Sequence, residues 1–378
     1  MPLNPSGAIS LGGPTAGQSI AVEVGQGATS QISLNDTIVR TLAQVPSGAI
    51  TMPTNFWGKS ISTATQKAIF GFGRVTPSRV NTTNLVSNIG VVEADIGGIG
   101  TGRDGIAAAT YGGDKALFGF GGRPGPTPAP VIFSMTNLVS NTGVVSSDTP
   151  GVGTPRFEVG AASFGGDRAI FAYGRTNTSV TTALAVSNLV SNTGVVSSDT
   201  PGVGATRMQT QGATYGGDKG IFAYGMSGTP SGPAPGIVQI TTVSLVSNTG
   251  VIASDAPGVG TARYGAAATG YGGDKAIFAW GQIGAGPLNT QPLVVNLVSN
   301  TGVVAANTSY SAPSVENRVG SAGAGYGGDK AIIGFGSGPT GTLRNTTNLV
   351  SNTGVLAALT TSVGRARTQL GAAGFSFT

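Results

Sequence analysis

The stretch that decides the fold is "GAAATGYGGDKAIFAWG", residues 265–281. It holds two short apolar segments, "GAAATGY" and "KAIFAWG", joined by Gly-Gly-Asp. Glycine supplies positive φ without steric cost, so the junction reads as a tight hairpin. The second segment is apolar on both faces, which suits a strand buried between layers. Small residues dominate the first, as expected of strands that crowd towards a common axis.

The same pattern recurs along the chain. A Lys or Arg opens the second segment at Lys67, Lys115, Arg168, Lys219, Lys275 and Lys330, at intervals of 48, 53, 51, 56 and 55 residues. "NLVSN" or a close relative begins at Asn84, Asn137, Asn188, Ser244, Asn296 and Asn348. An Asn-Thr-Gly turn then leads into a further apolar segment such as "GVVSS". An arginine stands eight residues before an aromatic at Arg103, Arg156, Arg207, Arg263, Arg318 and Arg367. Four short strands per repeat of about 40–50 residues is the pattern of a β-propeller blade.

The first repeat begins at "TQKAIFGFG" (65–73) without a preceding "GAAATGY". The last stops at "GAAGFSFT" (371–378) without a following "KAIFGFG". Each end holds the half that the other is missing. The expectation is an all-β, six-bladed propeller over residues 61–378, closed by pairing of the C-terminal strand with the first propeller strand. Closure buries an edge that an open array would expose. The alternative is an open solenoid, which needs no matched half-repeats. Residues 1–60 form a separate N-terminal segment.

Composition agrees with a packed repeat array. The chain has 64 glycines and 21 prolines, but its hydrophobic fraction is 39%, enough for a core. Charged residues are 9% and the net charge is +5, with no basic run and no basic–aromatic interleaving, so nucleic-acid binding is not expected. Cysteine and histidine are both absent, which removes disulfides, thiolate sites and the commonest metal ligand. No stretch reaches the roughly 18–20 apolar residues of a membrane span. "MPLNPSGAISLGG" does not read as a secretory signal. Synthesis in a cytosol, with any later export as part of an assembly, is expected.

The order "TARYGAAATGYGGDKAIFAWG…NLVSNTGVV" resembles a kelch-type repeat over residues 65–378. It departs from kelch at the usual third-strand tryptophan, replaced as at Val144 and Val195, and in its usually single glycine after the second strand. The chain is more similar to the glycine-rich "YGGDKAIFGFG" repeat proteins of tailed bacteriophages. In the N-terminal segment, "PSGAISL" (5–11) recurs as "PSGAITM" (46–52), and "ISLNDTIVRTLAQV" (32–45) leads to "NFWGKS" (55–60). This resembles the N-terminal module of virion structural proteins. The resemblance implies a non-enzymatic virion protein, a tail fibre or tail-associated component present in several copies. Its N-terminus would dock to tail or baseplate proteins, and its propeller would contact a host glycan, a receptor or neighbouring virion proteins.

The N-terminal segment reads as an anchor too small to bury a core of its own. Ser33 caps a short helix with Asp36 three residues on, and Pro46 ends it. Ile38, Leu42, Phe56 and Trp57 are its anchor candidates.

The "GGDK" turns invite comparison with a phosphate loop, but they lead into strands rather than helices, and the hairpin reading is preferred. Of the carboxylates, Asp114, Asp167, Asp218, Asp274 and Asp329 sit in those turns, and Asp148, Asp199 and Asp255 sit in repeated "SDTP" or "SDAP" loops. Such repetition points to turn and loop bracing, with calcium binding by the loop aspartates left open. Glu93, Asp95 and Asp104 stand outside the repetition as the one group that could serve glycoside cleavage. The six arginines are expected to brace neighbouring blades. Phe72, Phe120, Tyr173, Tyr224, Trp280 and Phe335 are expected to pack the core.

The clearest functional signal is variation. The link from the second strand to "NLVSN" changes from repeat to repeat, as in 74–83, 122–136, 226–243 and 282–295. Variable loops collect on one side of a repeat array, often the binding side. The binding-surface candidates are Arg123, Phe133, Met135, Met226, Gln239, Gln282 and Asn289. No catalytic residue, metal ligand or cofactor is expected. The alternatives are a carbohydrate-acting depolymerase on the same scaffold, a head decoration protein, and a cellular kelch-like interaction module.

Overall fold

The computed structural model describes residues 3, 6–15, 18–23, 27–43, 49–56, 66–123, 130–178, 182–228, 237–284, 290–310 and 315–375. The chain divides into two compact units, Met1–Ala64 and Thr65–Thr378.

The second unit is a propeller-like all-β fold. Its described residues contain six antiparallel sheets of three or four strands. Each sheet has an inner, a middle and an outer strand. Sheet 2 is typical: Ala107–Tyr111, Lys115–Gly119 and Thr136–Val139. Sheet 3 repeats it with Gly160–Phe164, Arg168–Ala172 and Ser187–Val190. Sheet 4 has Gln211–Tyr215, Lys219–Ala223 and Val243–Val246. Sheet 5 has Ala267–Tyr271, Lys275–Ala279 and Val294–Val298, and sheet 6 has Ala322–Tyr326, Lys330–Gly334 and Thr346–Val350. Sheet 1 joins the two ends of the unit. Its inner strand, Gly371–Phe375, pairs with Lys67–Gly71 from Lys67↔Phe375 to Gly71↔Gly371, and Thr83–Val86 completes it.

The "GGDK" turns are hairpins, with Tyr111 opposite Lys115 and Tyr271 opposite Lys275. The backbone of each turn also reaches the next sheet: Gly112 N donates to Asp167 O at 2.7 Å, and Gly272 N to Asp329 O at 2.6 Å.

The expected fourth strand is reduced. In most sheets it is a pair of isolated bridges, such as Val139↔Val145 and Thr136↔Thr149. Regular two-residue strands form at Thr308–Ser309 and Thr360–Thr361. In five of the six sheets a side chain fills the gap. Asn137 Nδ2 donates to Ser146 O (3.1 Å) and Asp148 Oδ1 (2.9 Å), occupying a carbonyl between the two bridges. Asn84, Asn188, Asn296 and Asn348 make the matching bond nine residues on. An edge held by side chains is a poor template for strand addition.

Neighbouring sheets meet through aromatic side chains. Phe72 packs edge-to-face on Phe118, Phe120 on Phe171, and Tyr173 on Phe222, with centroids 5.1, 5.2 and 5.4 Å apart. The approach is close enough to require glycine at Gly71, where an added Cβ would lie 2.6 Å from Phe118 Cζ.

The first unit corrects the reading of the N-terminal segment. Leu3, Ile20, Val39, Leu42, Ala43 and Phe56 form a buried cluster, so the segment does pack a core of its own. Two short helices, α1 (Ile20–Glu23) and α2 (Thr37–Ala43), supply four of its members. Apolar residues scattered between turns, too sparse to show periodicity, supply the rest. The capping differs too: Ser33 precedes a turn, and Asp36, just before α2, accepts from Ser33 N at 2.7 Å. Of the anchor candidates, Leu42 and Phe56 are buried in this cluster. Ile38 lies in α2 with its side chain outside the described set, and Trp57 lies outside the described residues.

Candidate functional site

The repeated arginines build the frame. Arg103, Arg156, Arg207, Arg263, Arg318 and Arg367 are all fully buried. Arg156 shows the pattern. Its Nε donates to Tyr173 O (2.8 Å) and its Nη2 to Asn188 Oδ1 (2.6 Å) within sheet 3, while its guanidinium lies 4.1 Å from the ring centroid of Phe120 in sheet 2. The other five stack in the same way, on Phe72, Tyr173, Tyr224, Trp280 and Phe335. Each arginine thus spans two sheets, satisfying carbonyls with one edge and an aromatic quadrupole with its face. Burial pulls the Arg156 guanidinium down to about 10, opposed by Asp199, so it stays charged at neutral pH.

The six stacked aromatics themselves hold left-handed backbone, with φ from 55° to 66°. Each is followed by a left-handed glycine, and at this pair the middle strand ends and the variable link begins.

Two residues after each arginine the chain again turns left-handed. Gly105, Glu158, Gln209, Gly265, Gly320 and Gln369 have φ of 60°, 58°, 51°, 59°, 65° and 57°. Their peptides form a chain of hydrogen bonds that returns on itself. Glu158 N donates to Gly105 O (2.7 Å), Gln209 N to Glu158 O (3.1 Å) and Gly265 N to Gln209 O (3.2 Å). Gly320 N donates to Gly265 O (2.9 Å), Gln369 N to Gly320 O (2.8 Å) and Gly105 N to Gln369 O (3.0 Å).

The collar residues line a cavity of about 230 Å³. Ile106, Val159 and Leu370, each nearly inaccessible to solvent, contribute apolar lining. Its walls carry Arg74, Glu158, Gln209, Tyr264, Gln282 and Gln369. The backbone at Arg74, Gly122, Arg175, Met226, Gln282 and Ser337 bridges to the residue following each buried arginine, so the variable links start at this rim.

The charges at the rim are paired. Glu158 meets Arg175 (Nε–Oε2 2.7 Å, Nη2–Oε1 2.8 Å) and accepts from Gln209 Nε2 at 2.7 Å. Burial pushes its carboxyl up, against the pull of Arg175 and Gln209. Asp104 lies 3.2 Å from Arg79 and 4.0 Å from Arg74. Burial raises its carboxyl to about 6, Arg79 and Arg74 lower it, and the Glu158 charge raises it further. Gln282 Nε2 donates to the Tyr264 hydroxyl.

The carboxylates singled out from the sequence do not assemble. Among the described residues no three Asp or Glu side chains gather as a metal site would require. Asp95 proves to be a member of the repetition: it accepts from Asn84 Nδ2 (2.8 Å) and Arg365 N (3.1 Å). Asp148 does the same with Asn137 and Thr101 N, and Asp199 with Asn188 and Thr154 N. Its "EADIG" context hid this, because the surrounding "SDTP" is lost in the first repeat. Glu93 is exposed on the outer edge.

Of the loop candidates, Arg123 is exposed and donates from Nε to Gly102 O at 2.7 Å. Phe133, Met135 and Gln239 are half-buried, and Gln282 lines the cavity. Met226 is a correction: it packs with Ala183, Met208 and Tyr264 and is 6% exposed, so it supports the rim rather than facing a partner. Asn289 lies outside the described residues. The loop reading missed Glu158, Gln209 and Gln369. Their signal is a position two residues after the repeated arginine that alternates between glycine and Glu or Gln.

The fold and rim define a class: a propeller-like all-β protein whose repeated scaffold carries a diversified polar mouth. No family model matches the chain, and no curated protein matches it. Among solved structures it is similar to the one titled "Structure of YjhT", with a TM-score of 0.56 and 11% identity over 77% of this chain and 96% of that chain. At that identity the likeness concerns the fold alone.

Proposed function

We propose that the six sheets are the blades of a closed six-bladed propeller, and that the protein is a non-enzymatic structural component of a tailed-phage particle, of the tail-fibre or tail-associated kind. The pairing of Gly371–Phe375 with Lys67–Gly71 and the self-returning collar of peptide bonds support closure. Met1–Ala64, a unit with its own small core, is the part that docks to other virion proteins. The face carrying the variable links and the polar mouth is the part that meets the host surface or a neighbouring virion protein.

One observation carries the recognition reading. The repetition is kept through turns, arginines and outer edges, and is dropped at the rim, where six equivalent positions hold Arg74, Gly122, Arg175, Met226, Gln282 and Ser337. Diversification confined to one face marks a contact surface. The rim carboxylates Glu158 and Asp104 each lie against a guanidinium, an arrangement suited to holding a shape rather than shuttling protons.

Immunogold labelling of purified particles tests the placement: label on the tail is expected, label on the head makes it a decoration protein, and absence from particles refutes the proposal. Incubation with host polysaccharide should release no new reducing ends. Their appearance would replace this reading with a depolymerase.

A further inference from the structure

We infer that the mouth of the central cavity is a binding site for one uncharged sugar ring. The inference rests on reading this face as the recognition face.

The first argument is conformational. At the collar, three of six positions are glycine, which adopts φ near 60° freely. The other three are Glu158, Gln209 and Gln369, which hold the same left-handed φ at a cost of roughly 1–2 kcal/mol each. Glu158 accepts from both Gln209 and Arg175, which commits the Glu158 and Gln209 side chains. The Gln369 side chain has no hydrogen-bond partner among the described residues, yet it lines the cavity. Strained backbone bearing an uncommitted polar group at a cavity wall is a mark of a functional position.

The second argument is chemical. Glu158 is neutralised by Arg175 and Asp104 by Arg79. What the cavity presents is therefore mostly amide and hydroxyl: Gln369, Gln282, Tyr264 and Ser337, with Arg74 at the edge. Ile106, Val159 and Leu370 add aliphatic lining to the same cavity. A pyranose has this division, with hydroxyls around its rim and C–H bonds on its face. At about 230 Å³ the cavity lies just below the roughly 300–1,000 Å³ of drug-sized ligand pockets, a size that suits one ring.

The test uses the full chain and saturation-transfer NMR with three probes: methyl α-glucoside, methyl β-galactoside and methyl N-acetyl-β-glucosaminide. At least one should bind with a millimolar Kd, and more tightly than glucuronate or glucosamine. Gln369→Gly should weaken that binding at least fivefold without lowering Tm, because glycine suits the backbone there. Gln282→Ala should weaken it as well, and Lys115→Ala, at a hairpin turn outside the cavity lining, should not. The preferred sugar is then presented at the non-reducing end of a tetrasaccharide: equal affinity identifies glycan ends as the source, and tenfold weaker binding identifies free sugar. No saturation with any of the three probes, stronger binding of the charged sugars, or binding untouched by both cavity variants overturns the inference. Failure here leaves the virion placement standing, and absence from particles leaves the sugar site standing.

Discussion

Replacing Arg367 with alanine tests whether the joint between the two ends of the repeat unit is equivalent to the joints within it. Arg367 donates to Asn84 Oδ1 at 2.7 Å and to Arg365 O at 3.2 Å, and it stacks 4.3 Å over Phe335. A hydrogen bond from a buried charge contributes about 1.5–3 kcal/mol, and a desolvated stack about 2 kcal/mol. Truncation also leaves the Asn84 oxygen facing a hole. Together the loss should be about 4 kcal/mol, within the range for breaking a buried charged network. Arg156 makes the matching contacts between sheets 2 and 3, with Asn188, Thr154 and Phe120, and adds a bond from Nε to Tyr173 O at 2.8 Å that Arg367 does not make. Urea denaturation of Arg367→Ala and Arg156→Ala, each against the parent chain, should therefore give a loss of about 4 kcal/mol for the first and a larger one for the second, by up to about 3 kcal/mol. A loss below about 1 kcal/mol for Arg367→Ala, beside a full loss for Arg156→Ala, would refute the reasoning, since it would mean that the terminal strand frays independently of the rest of the unit.

Other consequences follow from the same geometry. Gly71→Ala should destabilise by about 1–3 kcal/mol, because its Cβ would lie 2.6 Å from Phe118 Cζ; thermal melting reads the change. Asp104 titrates near 6 in the folded chain, above the ordinary 3.8 that holds when unfolded. Between those values the folded state binds more protons, so this group's contribution favours folding increasingly as pH falls from about 7 to 4. Asp104→Asn should flatten that part of the stability–pH curve. Asp148 and Asp199 act in the opposite sense. Burial alone would raise them, but hydrogen bonds from Thr101 and Asn137, and from Thr154 and Asn188, with the nearby arginines hold both below 3.8, so their contribution is lost as pH falls through the folded value. Asp148→Ala and Asp199→Ala should each weaken the acid-limb loss of stability followed by circular dichroism.

Much of the scaffold is legible in the residues because it is written at short range. Apolar runs, glycine turns and the Lys-to-glycine span of each middle strand depend on neighbours a few positions apart, and "KAIFAWG" reads as a strand wherever it stands. The half-repeats at 65–73 and 371–378 name each other as partners by composition alone. The buried arginines are legible in part: their regular recurrence predicts bracing, though not the ring each one covers.

What only the tertiary structure decided lies around the axis. Gly105 and Gln369 are hydrogen-bonded although most of the repeat unit separates them in sequence, and no local pattern announces a contact between residues one repeat apart. A left-handed Glu158 or Gln369 is likewise invisible in a sequence, since φ above zero is foreseen for glycine and not for these side chains. The same holds for Asp95, whose place in the repetition depends on meeting Arg365 N across the closing joint, and for the core of Met1–Ala64, assembled from apolar residues too dispersed to show a period. Local rules set the strands and turns. The mouth, where the function is proposed to lie, exists only once six distant segments are brought to one axis.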